Sequence, residues 1–246
     1  SLTARLKETA ELRRRFVYML MAESVPGYFY ALQHYNAVRK QRNALLKIIC
    51  RDDRHKNQLF DWDEQLSAAA VPLVRTRAQA SARLAELSAG HYAHISGRGE
   101  EKLSIRYQSS LSESVDIKAD YLRLLQQSAS DDLRRLSTSF GPHRDDLLIG
   151  LSGEDLRAFG SQGQIRTAAL AMRLAQIDIL TQAQGGEPPL LLLDDVLSEL
   201  DGGRRTRLLS GLAHVQTLLT CTELSEARQL DPACVLRVAN GQITQL

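Results

Sequence analysis

Leu190-Leu191-Leu192-Leu193-Asp194-Asp195 is a run of four apolar residues ending in two acids. A short continuous apolar run of this kind reads as a strand, here over residues 189–194, buried on both faces. In open α/β sheets ligands gather at the carboxyl ends of strands, which is where Asp194 and Asp195 fall. One carboxylate there, Asp194, can hold a magnesium ion, which prefers hard oxygen ligands. Its neighbour Asp195 points differently and can orient or deprotonate an attacking water. Two adjacent acids repel in a low dielectric, so a cation is their natural companion. The plain alternative is an acidic strand end facing solvent.

The segments around this strand extend the pattern. Upstream, Ser161-Gln162-Gly163-Gln164 opens a helix over residues 162–183. A serine at a helix start leaves backbone N–H groups pointing outward, aided by the helix dipole, and a glycine lets a phosphate approach closely. Gln164 adds a side chain able to donate or accept. A simple N-cap would need no more than the serine. Downstream come Ser198-Glu199-Leu200-Asp201, a helix over 203–213 and a second apolar strand over 215–221. A terminal hairpin follows, residues 235–238 and Ile243 about the turn Asn240-Gly241. With a short strand at 147–151, residues from 136 on predict an α/β unit, a mostly parallel sheet covered by helices.

Residues 1–135 read differently, mainly as long helices. Leu12, Phe16, Met19 and Leu20 recur at helical spacing before a break at Ser24-Val25-Pro26-Gly27. Phe29, Leu32, Tyr35, Val38, Leu45, Leu46 and Ile49 are the inward positions of a second helix. A third starts around Trp62, capped by Asp61, is interrupted near Pro72 and resumes to Leu87. Gly90, Gly97 and Gly99 mark turns. Leu103, Ile105 and Tyr107 alternate with polar residues as in a strand, and a short helix covers Tyr121 to Leu125.

The net charge of +2 is too small to argue for or against nucleic acid, so such a case must rest on local clusters. One lies on the first two helices: Arg13, Arg14, Arg15, Arg39, Lys40, Arg42, Lys47 and Arg51. Arginine and lysine contacts to phosphate dominate DNA affinity, and Tyr28, Phe29, Tyr30 and Tyr35 lie close enough to stack on unpaired bases. A solvated helix face over an aromatic core is the competing account. His143 and Arg144, within Gly141-Pro142-His143-Arg144-Asp145-Asp146, admit a metal site, but a Gly-Pro turn into a strand is simpler. Cys50, Cys221 and Cys234 are far apart and odd in number, which predicts reduced, mostly packed thiols in a cytoplasmic protein. No apolar run reaches the ~20 residues of a membrane span, and neither His-ligand spacing nor Ser-His-Asp logic emerges. The start at Ser1, inside an arginine-rich helical pattern, reads as a cut from something longer; the end reads as a natural C-terminus.

The order of these motifs resembles the second half of an ABC-type ATPase head: Ser161 to Gln164 as signature motif, Asp194 and Asp195 as the Walker B end, Ser198 to Asp201 as D-loop. Within that superfamily, three stretches are similar to the RecF family of bacterial DNA replication and repair proteins: Phe140 to Leu147, Arg39 to Leu46 and Asp194 to Asp201. The resemblance runs from about Glu11 to the C-terminus. It implies a helical arm domain over 1–135 and the C-terminal part of the head over 136–246. It implies ATP and Mg2+ as cofactors, with Asp194 on magnesium and Asp195 at the position of the catalytic glutamate. Ser161, Gly163 and Gln164 would contact ATP held by a second molecule, and Asp201 would lie at that dimer contact. Arg39, Lys40 and Arg42 would serve DNA. Implied partners are single-stranded and gapped duplex DNA, a second copy, and the mediators RecO and RecR, in replication, recombinational repair and the SOS response.

The chain departs from the superfamily pattern in two places. It contains no Gly-Lys dipeptide, so the phosphate-cradling loop G-x-x-x-x-G-K-[ST] is missing. The resemblance places that loop, and the Q-loop, ahead of Ser1. Thr220-Cys221-Thr222 stands where many ABC heads have a switch histidine. The family's activity is a weak DNA-dependent ATPase; without the loop this chain alone is expected to be inactive. Two other classes compete. A transporter ATPase subunit would lack the helical insertion and carry the histidine. A non-hydrolysing docking module would not need Ser161, Asp194 and Asp195 intact.

Overall fold

The computed structural model describes residues 10–111, 114–212, 214–222 and 232–246, and the side chains of Ala10 and Glu199 lie outside the description. Three helices come first: α1 Ala10–Ser24, α2 Tyr28–Ile49 and α3 Leu59–Ser96. The break between α1 and α2 falls at the expected place. Gly27 supplies it with φ +80°, a conformation that suits glycine.

Helix α3 differs from the expectation. It is a single element of 38 residues that runs through Pro72 and past Leu87 to Ser96, where Gly97 at φ +65° ends it. A mid-helix proline removes one hydrogen bond and costs about 3 kcal/mol. The flanking residues Ala69, Ala70, Leu73 and Val74 are all buried in the main core, and that packing outweighs the local penalty. Asp61 sits inside the first turn rather than at the cap. The inward faces also shift. Met19 and Phe29 are exposed, while Val17, Met21 and Tyr28 take core positions.

Beyond α3 come β1 Leu103–Gln108, α4 Ile117–Gln127, α5 Ala129–Arg135, β2 Asp146–Leu151, β3 Glu154–Asp155, α6 Leu156–Phe159 and α7 Gln162–Ala183. The chain closes with β4 Leu191–Asp194, α8 Gly202–Ser210, β5 Thr217–Thr220, β6 Leu236–Ala239 and β7 Gln242–Gln245. The class is α/β, but the parallel character expected of the sheet is confined to β4 and β5, in register Leu191↔Thr217 to Asp194↔Thr220. The ladders β1–β2–β3 and β6–β7 are antiparallel. Asn240 (φ +49°) and Gly241 (φ +75°) make the two-residue hairpin turn that their sequence predicts.

Strand β4 is not buried on both faces. Leu191 and Leu193 pack on a cluster with Ile95, Leu174, Ile177, Leu197, Leu200 and Leu208, whereas Leu190 and Leu192 are 51% and 66% exposed. Only one face carries a helical layer among the described residues. The main core runs without interruption across residue 135: Phe16, Tyr35, Leu73 and Tyr121 share it with Leu147, Leu151, Ile165 and Met172. Strand β1 pairs with β2 over the same point. The expected division at 135/136 therefore coincides with no break in packing. Cys50 and Cys234 are exposed rather than packed, and no described helix is long and apolar enough to cross a membrane.

Candidate functional site

The parallel register of β4 and β5 sets Asp194 opposite Thr220. Thr220 Oγ1 donates to Asp194 Oδ1 at 2.7 Å and accepts from the Asp195 backbone N–H at 3.0 Å. One hydroxyl thus fixes both acidic residues. Asp195 has φ +50°, a left-handed conformation that disfavours any residue with a Cβ by roughly 1–2 kcal/mol. It is held there by Thr220 and by Ser198 Oγ, which donates to the Asp195 carbonyl at 2.9 Å. Both aspartates are exposed. The donor set fits magnesium: one exposed carboxylate at a strand end, oriented through a single oxygen, with its second oxygen met by no donor among the described residues. Magnesium is ordinarily held by one or two carboxylates together with phosphates and water rather than by an all-protein cage. No group of three or more His, Cys, Asp or Glu able to hold a metal occurs among the described residues.

Ser161 caps α7. Its Oγ accepts from the Gln164 N–H at 3.2 Å, and Gln164 Oε1 accepts from the Ser161 N–H at 2.9 Å, a reciprocal capping box. Gln164 Nε2 in turn donates to Glu101 Oε1 at 3.0 Å. The Gln164 side chain is therefore occupied at both ends and holds the helix start; it is not free for phosphate, contrary to the expectation for this residue. Exposed Ser161 keeps its hydroxyl proton, and the N–H groups of Gln162 and Gly163 precede the first intrahelical bonds. Glu101 also accepts from Tyr92 at 2.7 Å and from Arg98 at 3.0 Å. Burial pushes its carboxyl up, but the hydrogen bonds from Tyr92, Gln164 and Arg98 outweigh that and hold it below the usual range.

Helix α8 reaches this helix start through Arg204. Asp201 caps α8, accepting from the Arg204 N–H at 2.9 Å, which together with Arg204 keeps its carboxyl low. A Cβ at Gly163 would lie 2.7 Å from Arg204 Nη1, so glycine is what lets the arginine close over the helix. Arg207 donates to the carbonyls of Ile95 (3.0 Å) and Ser96 (3.1 Å), the free end of α3. The structure thus joins Ser161, Gly163, Gln164 and Asp201 into one assembly, and Asp194, Asp195 and Thr220 into another. Sequence reasoning misses Glu101, Arg204, Arg207 and the bridging role of Thr220, because each depends on partners far along the chain.

Of the basic residues expected on DNA, Arg42 must be corrected. It is fully buried, with Nε on Asp63 (2.6 Å) and Nη1 on Asp132 (2.7 Å) and Thr138 (2.9 Å). Burial alone would lower its pKa, but the two carboxylates raise it, so it stays charged inside the protein. Arg39 is half-buried and Lys40 exposed. Arg13 is bound to Asp146 through Nε at 3.0 Å.

The stretch Gly141–Asp146 is a staple. Arg77, buried in α3, donates to the Pro142 carbonyl at 2.6 Å, to Tyr28 at 2.8 Å and to Asp145 at 3.3 Å, and Tyr107 donates to the same carboxylate. His143 uses both ring nitrogens, Nδ1 with Tyr35 (2.8 Å) and Nε2 with the Thr138 carbonyl (3.0 Å), which leaves neither for a metal. Gly141 has φ +122°, and a Cβ there would collide with the Tyr121 hydroxyl.

The fold recurs in solved structures. The chain aligns over its whole length with the RecF–ATP structure of the recombination mediator protein of the RecFOR pathway, with TM-score 0.86 and 33% identity, covering 65% of that chain. A Pyrococcus furiosus Smc head domain with an extended coiled coil shares the fold alone, at TM-score 0.52 and 13% identity. The fold and the strand-end and helix-cap geometry define part of an ABC-type ATPase head. No protein-family model matches the chain. It is 40% identical to the DNA replication and repair protein RecF of Acetivibrio thermocellus over 96% of its length, and 38% identical to that of Shouchella clausii over 98%, covering 67% of the relative. The chain belongs to the RecF family of DNA replication and repair proteins. It spans about two thirds of the length of the curated relatives it matches, 66% for the Acetivibrio protein.

Proposed function

We propose that this chain contributes one half of a composite ATP site to an ATP-dependent DNA-binding protein of replication, recombinational repair and the SOS response. It acts in the cytoplasm on single-stranded or gapped duplex DNA alongside RecO and RecR. The observation that carries the reading is Thr220 bridging Asp194 and Asp195 at the carboxyl end of β4, in a chain whose relatives are RecF proteins. Residues 1–135 serve as the arm and 136–246 as the C-terminal part of the head, a functional division across a shared core.

Asp194 holds Mg2+, oriented by Thr220. When bound, the ion neutralises charge on the ATP phosphates. Asp195 orients the attacking water and takes its proton. A shorter acid than glutamate needs the water closer, and the left-handed backbone at Asp195 re-aims the carboxylate. Ser161 Oγ and the N–H groups of Gln162 and Gly163 donate to the γ-phosphate of ATP held by a second copy, with the dipole of the 22-residue α7 behind them. Asp201 lies at the same contact. Hydrolysis therefore needs a homodimer and the phosphate-cradling loop, and the family's weak DNA-dependent ATPase belongs to that assembly rather than to this chain by itself.

The test compares the 246-residue chain with a chimera that adds the remaining third of a RecF relative. ATP turnover, ATP-dependent dimerisation and gapped-DNA binding are measured with and without Mg2+. The expected result is dimerisation and slow turnover in the chimera only, both lost in Ser161→Arg. Turnover by the 246-residue chain alone would overturn the half-site reading, and a chimera that neither dimerises on ATP nor binds DNA would overturn the function.

A further inference from the structure

The turn Gly141–Asp145 is ringed by three guanidinium groups from three elements. On α1, Tyr18 donates to the Pro142 carbonyl at 3.4 Å, and Arg14, one turn earlier on the same face, donates Nη1 to the Asp145 carbonyl at 3.2 Å. On α2, Tyr35 meets His143 Nδ1 at 2.8 Å, and Arg39 follows one turn later on the same face. Arg144 projects from the turn itself and is exposed. The acids of the same stretch face inward: Asp145 is buried against Arg77 and Tyr107, and Asp146 is taken by Arg13.

This leaves a cationic rim without counterions among the described residues. Neither Arg39 nor Arg144 has an ion-pair partner among the described residues, and Arg39 Nε is buried with no hydrogen-bond partner. His143, beneath the rim, adds no charge: burial first, then Arg39, Arg144 and Arg14, push its pKa down to about 3. Like charges gathered around an uncharged base repel one another, and a bound anion relieves that repulsion.

We propose that Arg14, Arg39 and Arg144 form a clamp for the phosphodiester backbone of DNA, each arginine on its own phosphate, seated over the Gly141–Asp145 turn. This rests on the reading of the chain as a DNA-binding protein. The three head groups come from separate elements and are exposed or half-exposed, and their exposed sequence neighbours Arg15 and Lys40 carry positive charge outward from the turn. A strand of phosphates matches that spread better than a single nucleotide does. Contacts to backbone phosphate carry no sequence information directly, so the clamp positions the strand rather than reading it.

The experiment measures binding of a fluorescent single strand to the 246-residue chain by anisotropy between 50 and 200 mM salt. Wild type is compared with Arg14→Gln/Arg39→Gln/Arg144→Gln and with Arg83→Gln, an exposed arginine elsewhere on α3. The expected result is a loss of about tenfold or more in the triple variant and a salt slope lower by about 2, at roughly 0.7 for each phosphate no longer neutralised, with Arg83→Gln unchanged. Arg144→Gln, at an exposed position, serves if the triple variant unfolds and is expected to lower the slope by about 0.7. Wild type that binds no DNA at 50 mM salt overturns the DNA reading itself. Wild type that binds while the variants keep its affinity and slope overturns the clamp alone. Loss of a fluorescent ATP analogue in the same variants assigns the arginines to nucleotide phosphate and also overturns the clamp.

Discussion

The turn Gly141–Asp146 and the strand end Asp194–Asp195 both crowd charge into a few residues, and they treat it in opposite ways. At the turn the buried groups are matched at nearly every atom: Arg77 has Tyr28, Pro142 and Asp145, with Nη2 alone lacking a partner, and His143 has Tyr35 and Thr138. At the strand end two acids stand exposed, one in a disfavoured backbone conformation, held by two hydroxyls, of Thr220 and Ser198. A buried polar group left without a partner is costly, so satisfied networks specify the fold. A group kept exposed and strained contributes nothing to the fold and is available for chemistry. The motif with the most charge is thus the structural one, apart from its cationic rim.

The strongest way to break this contrast is to unpair the other buried network. Arg42→Ala leaves the carboxylates of Asp63 and Asp132 buried without their cation, which is expected to cost about 3–5 kcal/mol. Urea denaturation checks it. A variant as stable as wild type that loses DNA affinity instead would make Arg42 a DNA ligand rather than the centre of a buried network.

The next test uses pH. His143 titrates near 3 in the folded chain against an ordinary 6.5. Between those values the unfolded chain binds a proton that the folded chain refuses, so stability rises with pH across the window and is lost as pH falls from 6.5 toward 3. His143→Gln keeps a hydrogen-bond donor and an acceptor but does not titrate. Urea midpoints at pH 7 and pH 5 are expected to fall further in wild type than in this variant. Equal slopes would place the acid sensitivity elsewhere.

Legibility in the sequence followed the range of the interaction. The helix cap at Ser161, the Asn240-Gly241 turn and the acidic strand end are local, and each stands where its residues predict. Arg42 reads as a surface cation because its partners lie 21 and 90 residues away. Pro72 reads as an interruption of the helix because propensity says nothing about the core pressed against Ala69, Ala70, Leu73 and Val74. Four leucines in a row carry no alternation, so the exposed face of β4 could not be told from the buried one. Gln164 reads as an ATP ligand from its place in the motif; its real partner, Glu101, is 63 residues distant.

The strand end should behave in the reverse sense to the buried networks. Asp195→Gly removes the Cβ that disfavours φ +50°, so stability is expected to rise by roughly 0.5–1 kcal/mol. ATP turnover in the dimerising chimera should be lost with it. A destabilised variant would show that the side chain, and not only Thr220 and Ser198, holds the loop.

The smallest effect on stability is expected at Gly163, and it draws the sharpest line between folding and function. A methyl group there meets only Arg204 Nη1, the far end of a flexible side chain, which can swing aside at little cost. Alanine is also the better helix former, by up to about 1 kcal/mol in a helix interior and less in a first turn. These two terms oppose each other, so Gly163→Ala should leave the urea midpoint of the chain within about 0.5 kcal/mol of wild type. The same methyl group occupies the space through which a phosphate reaches the N–H groups at the start of α7. In the chimera, ATP-dependent dimerisation should therefore fall steeply, by the criterion of sedimentation with and without ATP. Dimerisation at the wild-type level would mean that phosphate does not approach α7 over Gly163, and Ser161 would be left as an ordinary helix cap.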